Sequence, residues 1–229
     1  MSLSIAEALA SVHERIAEAA RHSGRSPDAV TLVAVSKTFP AEIVREAVAA
    51  GQRVFGENKV QEGIEKVPVL PPDLEWHLIG HLQSNKIRKA LPLFQWIETI
   101  DSLERARQVD RIAGELGLRP KILLQVNIGE DDAKFGYSIA GVTADFESLL
   151  SLPHLDVRGL MTIPPLEADE SRTRSHFSGL RDLRDALVER GGHPLPELSM
   201  GMSHDYEIAI EEGATLVRVG SAIFGSRGV

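Results

Sequence analysis

Apolar positions along the chain follow two alternating rhythms. Ile5, Leu9, Val12, Ile16 and Ala19 recur every three or four residues, which predicts an amphipathic helix. Ser4 with Glu7 makes a capping-box pattern ahead of it, and Gly24 marks a stop. The rhythm then changes. Val30-Thr31-Leu32-Val33-Ala34-Val35 is a continuous, β-branched run, the pattern of a strand buried on both faces. A helix is expected from about Pro40 to Ala50, closed by Gly51, then a short strand at Arg53-Val54-Phe55 and a helix around Val60, Ile64 and Val67. Further strands are expected at 74–80, 95–100, 121–128, 155–163, 197–200 and 216–219. The helices between them run up to Leu91-Pro92, then from a cap at Asp101 along Leu103, Ala106, Val109, Ile112 and Leu116, then around Phe146, Leu149 and Leu150. A long helix runs to Arg190 and stops at Gly191-Gly192, and a short one passes through Ile208 and Ile210.

Strand and helix therefore alternate eight times. Such alternation means parallel pairing with right-handed crossovers. Eight units in 229 residues favour a closed (β/α)8 TIM-type barrel with an extra N-terminal helix, formed as one domain over residues 1–229. An open doubly wound sheet is the alternative. It calls for a glycine-rich first β/α turn, and Ser36-Lys37-Thr38-Phe39 is not one.

Composition narrows the function. The absence of cysteine excludes disulfides and cysteine-based zinc sites. A net charge of −8 argues against a nucleic-acid or anionic-membrane surface. The basic run Asn85-Lys86-Ile87-Arg88-Lys89 reads as a solvated helix face. The N-terminus lacks a basic start and a continuous apolar stretch, so no signal peptide is expected, and no run approaches the length of a membrane span. The expected location is the cytoplasm.

In a barrel, chemistry collects where strands end. Here those ends carry Lys37, Gly56-Glu57-Asn58, Gly80-His81, Asp101, Asn127, Met161-Thr162, Ser199 to Ser203, and Arg218 with Gly220-Ser221. A lysine at the mouth of an apolar barrel is partly desolvated, which lowers its pKa and favours the free amine that attacks carbonyls. Alternatively it snorkels from the strand end to water. The loops after strands 7 and 8, where barrels bind phosphate, offer glycines and hydroxyls in Ser199-Met200-Gly201-Met202-Ser203 and Gly220-Ser221. Ser203 also occupies an N-cap position, with Asp205 and Glu207 after it, so capping alone could explain it. Arg218, inside the apolar strand Leu216-Val217-Arg218-Val219, needs either a carboxylate or a bound ligand. His77 and His81 have the four-residue spacing of a helical metal site, but Trp76, Leu78 and Ile79 read as strand, so no metal is expected.

Six stretches carry a family resemblance: Val33 to Thr38, Gly56 to Glu62, Trp76 to Lys86, Gly159-Leu160-Met161, Ser199 to Ser203, and Val217 to Gly220 continuing through Ile223-Phe224-Gly225. In order, and over nearly the whole chain, they resemble the pyridoxal phosphate homeostasis proteins, whose barrel is similar to the N-terminal domain of alanine racemase. The resemblance implies pyridoxal 5′-phosphate (PLP), a vitamin B6 form, as cofactor, with Lys37 as the Schiff-base lysine. It implies that Ser203, Gly220 and Ser221 hold the phosphate and that Arg218 faces the pyridine nitrogen. It places Asn58 and Met161 against the cofactor and Lys134 near the barrel mouth. Ser221 stands where threonine is common, and His204 and Tyr206 depart from the family's usual residues there.

The resemblance implies a carrier acting in intracellular PLP homeostasis, not an enzyme. The alternative is a PLP-dependent amino-acid racemase. Racemisation needs acid/base groups on both faces of the substrate. Neither Tyr137 nor Tyr206 matches the tyrosine that serves the second face, and the chain's end at Val229, just past the eighth strand, is expected to leave no second domain. Expected partners are the cofactor and PLP-requiring apoenzymes, with no nucleic acid or membrane, and the chain is expected to be a monomer.

Overall fold

The structure is a computed structural model describing residues 3–131, 134–165 and 169–225; Val229 lies outside them. The strands are β1 (Thr31–Val35), β2 (Val54–Glu57), β3 (Glu75–Leu78), β4 (Trp96–Ile100), β5 (Lys121–Gln125), β6 (Asp156–Met161), β7 (Glu197–Ser199) and β8 (Leu216–Val219). They close in sequence order into an all-parallel barrel, with β8 returning to pair with β1. The helices are α1 (Ile5–His22), α2 (Ala41–Ala49), α3 (Val60–Lys66), α4 (Ile87–Ala90), α5 (Leu103–Leu116), α6 (Ile139–Leu150), α7 (Glu170–Gly191), α8 (Tyr206–Glu211) and α9 (Ser221–Phe224). Among the described residues no helix is long and apolar enough to cross a membrane. The closed barrel with its leading helix is the expected fold, and the open sheet is excluded.

Strand residues sort by side of the wall. Leu32 and Ala34 of β1 join the large core under the helices, while Val33 points inward to a small cluster with Trp96, Leu123, Met161 and Leu216. That division is the period-two alternation of a strand whose two faces are both buried. Helix α1 begins with the expected capping box, Ser4 accepting from the Glu7 N–H and Glu7 from the Ser4 N–H. Of its buried residues, Leu9, Val12, Ile16, Ala19 and Ala20 join the large core.

Two expectations change. The cap of α5 is Ser102, not Asp101: the Ser102 hydroxyl accepts from the Arg105 N–H at 3.2 Å. The helix expected up to Leu91-Pro92 shrinks to a 3-10 turn (Ser84–Lys86) and the single turn α4. Its basic run is a solvated face, with Ile87 buried and Arg88 paired to Glu115. In the β4–β5 ladder the register shifts between Ile97 and Ile100. A bulge of this kind breaks strict alternation. As a result Glu98 reaches Ser199 inside the barrel while its neighbour Thr99 lines the cavity above.

Candidate functional site

At the C-terminal ends of the strands lies a cavity of about 440 Å³. Its wall includes Lys37, Asn58, Ser203, Arg218, Gly220 and Ser221, with Val35, Phe39, Ile79 and Ile163 as apolar surface. Among the described residues, no aspartate or glutamate lines it, although the chain as a whole carries a charge of −8. Two cations and two histidines, His81 and His204, face an otherwise neutral pocket. That is the electrostatics of an anion site.

Lys37 lies two residues past the end of β1, half-buried, and the chain around it is clamped. Thr38 has φ +70°, a left-handed conformation costly for a β-branched residue. The Thr38 N–H donates to Glu62 Oε2 at 2.6 Å. Lys66 Nζ donates to the Ser36 carbonyl at 2.8 Å, to Glu57 Oε1 at 2.7 Å and to Glu62 Oε2 at 3.2 Å. The Ser36 hydroxyl donates to Glu57 Oε1 at 2.7 Å. Three charged side chains from β2 and α3 thus grip the residues on both sides of Lys37. Burial pushes the Glu57 carboxyl up to about 7, against the pull of Lys66 and Ser36. Its second oxygen has no protein partner. Glu62 stays below the usual carboxylate range, because the Thr38 N–H and Lys66 outweigh its partial burial.

Arg218 forms part of the floor and is only 3% exposed. Sequence reasoning left a carboxylate or a ligand as its partner. The structure gives protein partners: Nη1 donates to Ser199 Oγ at 2.6 Å and Nη2 to the Thr162 carbonyl at 2.8 Å. The nearest carboxylate, Glu98, is 4.0 Å away and linked through Ser199, whose hydroxyl donates to Glu98 Oε2 at 2.5 Å.

Ser203 is not a helix cap. The N-cap of α8 is Asp205, and no side chain caps that helix; Asp205 Oδ1 instead accepts from the Met202 N–H. The Ser203 hydroxyl is drawn across to the loop after β8, where the Gly220 and Ala222 N–H groups approach it at 3.3 Å and 3.4 Å. Two backbone donors and a hydroxyl converge on one point at the cavity edge. A Cβ on Gly220 would sit 3.1 Å from the Val35 carbonyl, so this loop lies directly against the end of β1 that carries Lys37.

Asn58 and Ser221 also face the cavity, and the Asn58 backbone packs against Gly80, where a Cβ would fall 2.1 Å from the Asn58 oxygen. Met161 does not line the cavity; it is fully buried in the inner cluster. Lys134 is outside the wall too, donating to the Ile163 carbonyl at 3.3 Å, while its neighbour Phe135 stacks on His81 at the mouth. His77 and His81 serve different places: His77 joins Glu98 and Glu75 inside the barrel, and His81 pairs with Asp101. Asn127 closes its own loop onto Asp131, and Gln125 takes the cavity position. Sequence reasoning missed Lys66, Glu62, Glu98 and Ser199 as supports. Glu98 alone left a signal, an acid inside the apolar run Trp96-Ile97-Glu98-Thr99-Ile100.

The model of the alanine racemase N-terminal domain family matches residues 8–228. The pyridoxal phosphate homeostasis protein of Aquifex aeolicus is 42% identical over 222 residues, 96% of this chain and 97% of that protein. Its Escherichia coli counterpart is 44% identical over 231 residues, 97% of each. The solved structure of PipY from Synechococcus elongatus with PLP bound is 45% identical, covers 97% of this chain and all of that one, and superposes with a TM-score of 0.87. An alanine racemase of Clostridium difficile shares the barrel, with a TM-score of 0.73 at 16% identity. The chain therefore belongs to the alanine racemase N-terminal domain family and, within it, to the pyridoxal phosphate homeostasis proteins.

Proposed function

We propose that this chain binds PLP in the barrel-mouth cavity and holds it, without turnover of its own, as a carrier in intracellular PLP homeostasis. The observation that carries this reading is a cavity with no aspartate or glutamate among the described lining residues, in an acidic protein, into which a lysine, a buried arginine and the joined Ser203 and Gly220 loops all face. The residues present fit the cofactor. A phosphate needs convergent N–H and hydroxyl donors with close backbone approach. Ser203, Gly220 and the first turn of α9, beginning at Ser221, offer them. PLP brings an aldehyde that condenses reversibly with a primary amine, releasing water. Lys37 supplies that amine, and the Glu57–Lys66–Glu62 clamp aims its backbone. Arg218 fixes a cation at the floor, toward the ring nitrogen. Asn58 and the apolar residues Ile79 and Ile163 limit how the ring lies.

Residues 1–229 act as one domain in this reading, as a monomer in the cytoplasm. The cofactor would pass to PLP-requiring apoenzymes, and the reversibility of amine condensation supports such release. The decisive experiment is titration of the protein with PLP, followed by borohydride reduction and peptide mapping. The expected result is a yellow complex with the pyridoxyl group on Lys37. Label elsewhere, with none on Lys37, would refute the assignment.

A further inference from the structure

Two ionisable residues inside the barrel have no part in the reading above. Glu98 and His77 are fully buried on adjacent strands β4 and β3, and neither lines the cavity. His77 stacks on Trp96, with ring centroids 5.0 Å apart and planes 15° from parallel. Hydrogen bonds nevertheless join them to the cavity floor. Arg218 Nη1 donates to Ser199 Oγ, which donates to Glu98 Oε2, and Glu98 Oε1 lies 2.6 Å from His77 Nδ1. Beyond His77 the string continues: Nε2 is 3.3 Å from Glu75 Oε1, and Glu75 Oε2 is 3.4 Å from Lys121 Nζ. Glu75 and Lys121 open β3 and β5, so the string meets solvent at the barrel's opposite end.

Apolar residues of similar volume would fill this interior at less electrostatic cost. The string instead alternates basic and acidic side chains through the barrel: arginine, carboxylate, histidine, carboxylate, lysine. Glu98 is divided between Ser199 and His77, and the Arg218 Nη1 to Glu98 Oε2 distance is 4.0 Å, with the Ser199 hydroxyl between them. A carboxylate shared in this way balances the guanidinium without drawing it down out of the cavity wall.

We propose that Glu98, acting through Ser199, and His77, acting through Glu98, are positioning residues that hold Arg218 as a fixed cation on the cavity floor. The inference rests on the PLP reading for what Arg218 faces. The protonation states agree with the geometry. Burial alone would strip the His77 proton, but the hydrogen bonds and charges of Glu75 and Glu98 outweigh it and raise the imidazole above its ordinary value. Burial would likewise raise Glu98, but His77, Arg218 and Ser199 hold it below the usual carboxylate range. The other charged groups facing this string are Lys121, beside Glu75, and Asp205, whose charge acts on Arg218.

The test compares the wild type with Glu98→Gln and Ser199→Ala. Ser199→Ala severs the link by removing one oxygen, and it carries the test alone if Glu98→Gln does not fold. Three quantities are measured: the 15N shifts of the His77 imidazole without cofactor, PLP affinity by absorbance titration, and the ring-nitrogen shift of 15N-labelled PLP. In the wild type His77 should carry both protons at neutral pH, and the ring nitrogen should be unprotonated. In both variants the PLP dissociation constant should rise about tenfold or more, the effect of losing one charge-assisted hydrogen bond. The ring nitrogen should move toward its protonated shift, while borohydride still places the label on Lys37. A neutral His77 in the wild type overturns the inference, as does wild-type affinity and ring protonation in both variants. A wild type that takes no PLP refutes the underlying cofactor reading instead.

Discussion

Lys66→Met tests whether the buried clamp, rather than the strand end alone, places Lys37. Lys66 and Glu57 have side chains 7% and 0% exposed, and the ammonium is 2.7 Å from Glu57 Oε1. Methionine keeps most of the volume and removes three donated hydrogen bonds, to Ser36, Glu57 and Glu62. Removing one partner of a buried ion pair costs about 3–5 kcal/mol when the other stays charged. Here Glu57 can escape by keeping a proton. Its folded-state value is already raised to about 7, whereas an unfolded glutamate titrates near about 4.3. A raised carboxyl means that the folded protein binds the extra proton, so Glu57 makes wild-type stability fall as pH climbs toward 7 and no further. Without Lys66 the carboxyl titrates higher still, and the variant keeps losing about 1.4 kcal/mol per pH unit above that point. The destabilisation should therefore be about 1–3 kcal/mol at pH 6, from the lost hydrogen bonds, and larger by about 1 kcal/mol at pH 8. Urea unfolding at the two pH values measures it. PLP affinity should fall as well, because Thr38 loses part of what holds its left-handed backbone. Equal destabilisation at both pH values, together with unchanged affinity, would refute the reasoning.

Gly220→Val and Ser203→Ala should both weaken PLP binding more than they weaken folding, as read by absorbance titration beside thermal melts. Valine should do more, because its branched side chain crowds the Val35 carbonyl and covers the N–H cradle. Gly80→Ala brings a Cβ 2.1 Å from the Asn58 oxygen, so backbone must shift; a loss of about 1–3 kcal/mol in urea unfolding is expected. The PLP-loaded protein should not racemise L- or D-amino acids in a chiral assay.

The barrel was legible because apolar runs alternate with helical spacing, and that rhythm survives without any knowledge of contacts. The cavity residues were legible for a different reason: Lys37, Asn58, Ser203, Arg218, Gly220 and Ser221 stand at strand ends, and a barrel brings strand ends together. Periodicity failed where the ladder departs from strict alternation. The register shift in β4 turns both Glu98 and Thr99 to the interior side, so counting alternate residues could not find Glu98. Lys66 was illegible because it sits at the last position of α3, where a basic residue ordinarily answers the helix dipole. Only the fold shows that it reaches back to the Ser36 carbonyl. For Ser203 the sequence left two readings open, a helix cap or a cavity residue, and only the fold decides between them, because the β8 loop claims its hydroxyl.

The expectation that racemisation is absent rests on what surrounds Lys37. Racemisation needs one group to remove a proton from one face and another to return it on the opposite face. Lys37 can serve one face. The chain's two tyrosines are Tyr137, 6% exposed, and Tyr206, 1% exposed, and neither lines the cavity. Burial raises the Tyr137 hydroxyl further above its ordinary value, which makes it a still poorer proton donor. Of the histidines on the wall, His81 sits at the mouth, 3.3 Å from Asp101 and stacked 4.3 Å from the Phe135 ring, and His204 is exposed at the edge. Arg218 adds a second obstacle. A guanidinium has donors and no acceptor and keeps its charge, so a ring nitrogen facing it stays unprotonated and draws electrons weakly. A missing second acid/base group and a weak electron sink each lower the rate, and a positioned group on the second face would by itself restore turnover despite the weak sink. Turnover of any amino acid at about one per second or faster, abolished by Lys37→Ala, would show that such a group is present and that the cavity belongs to an enzyme.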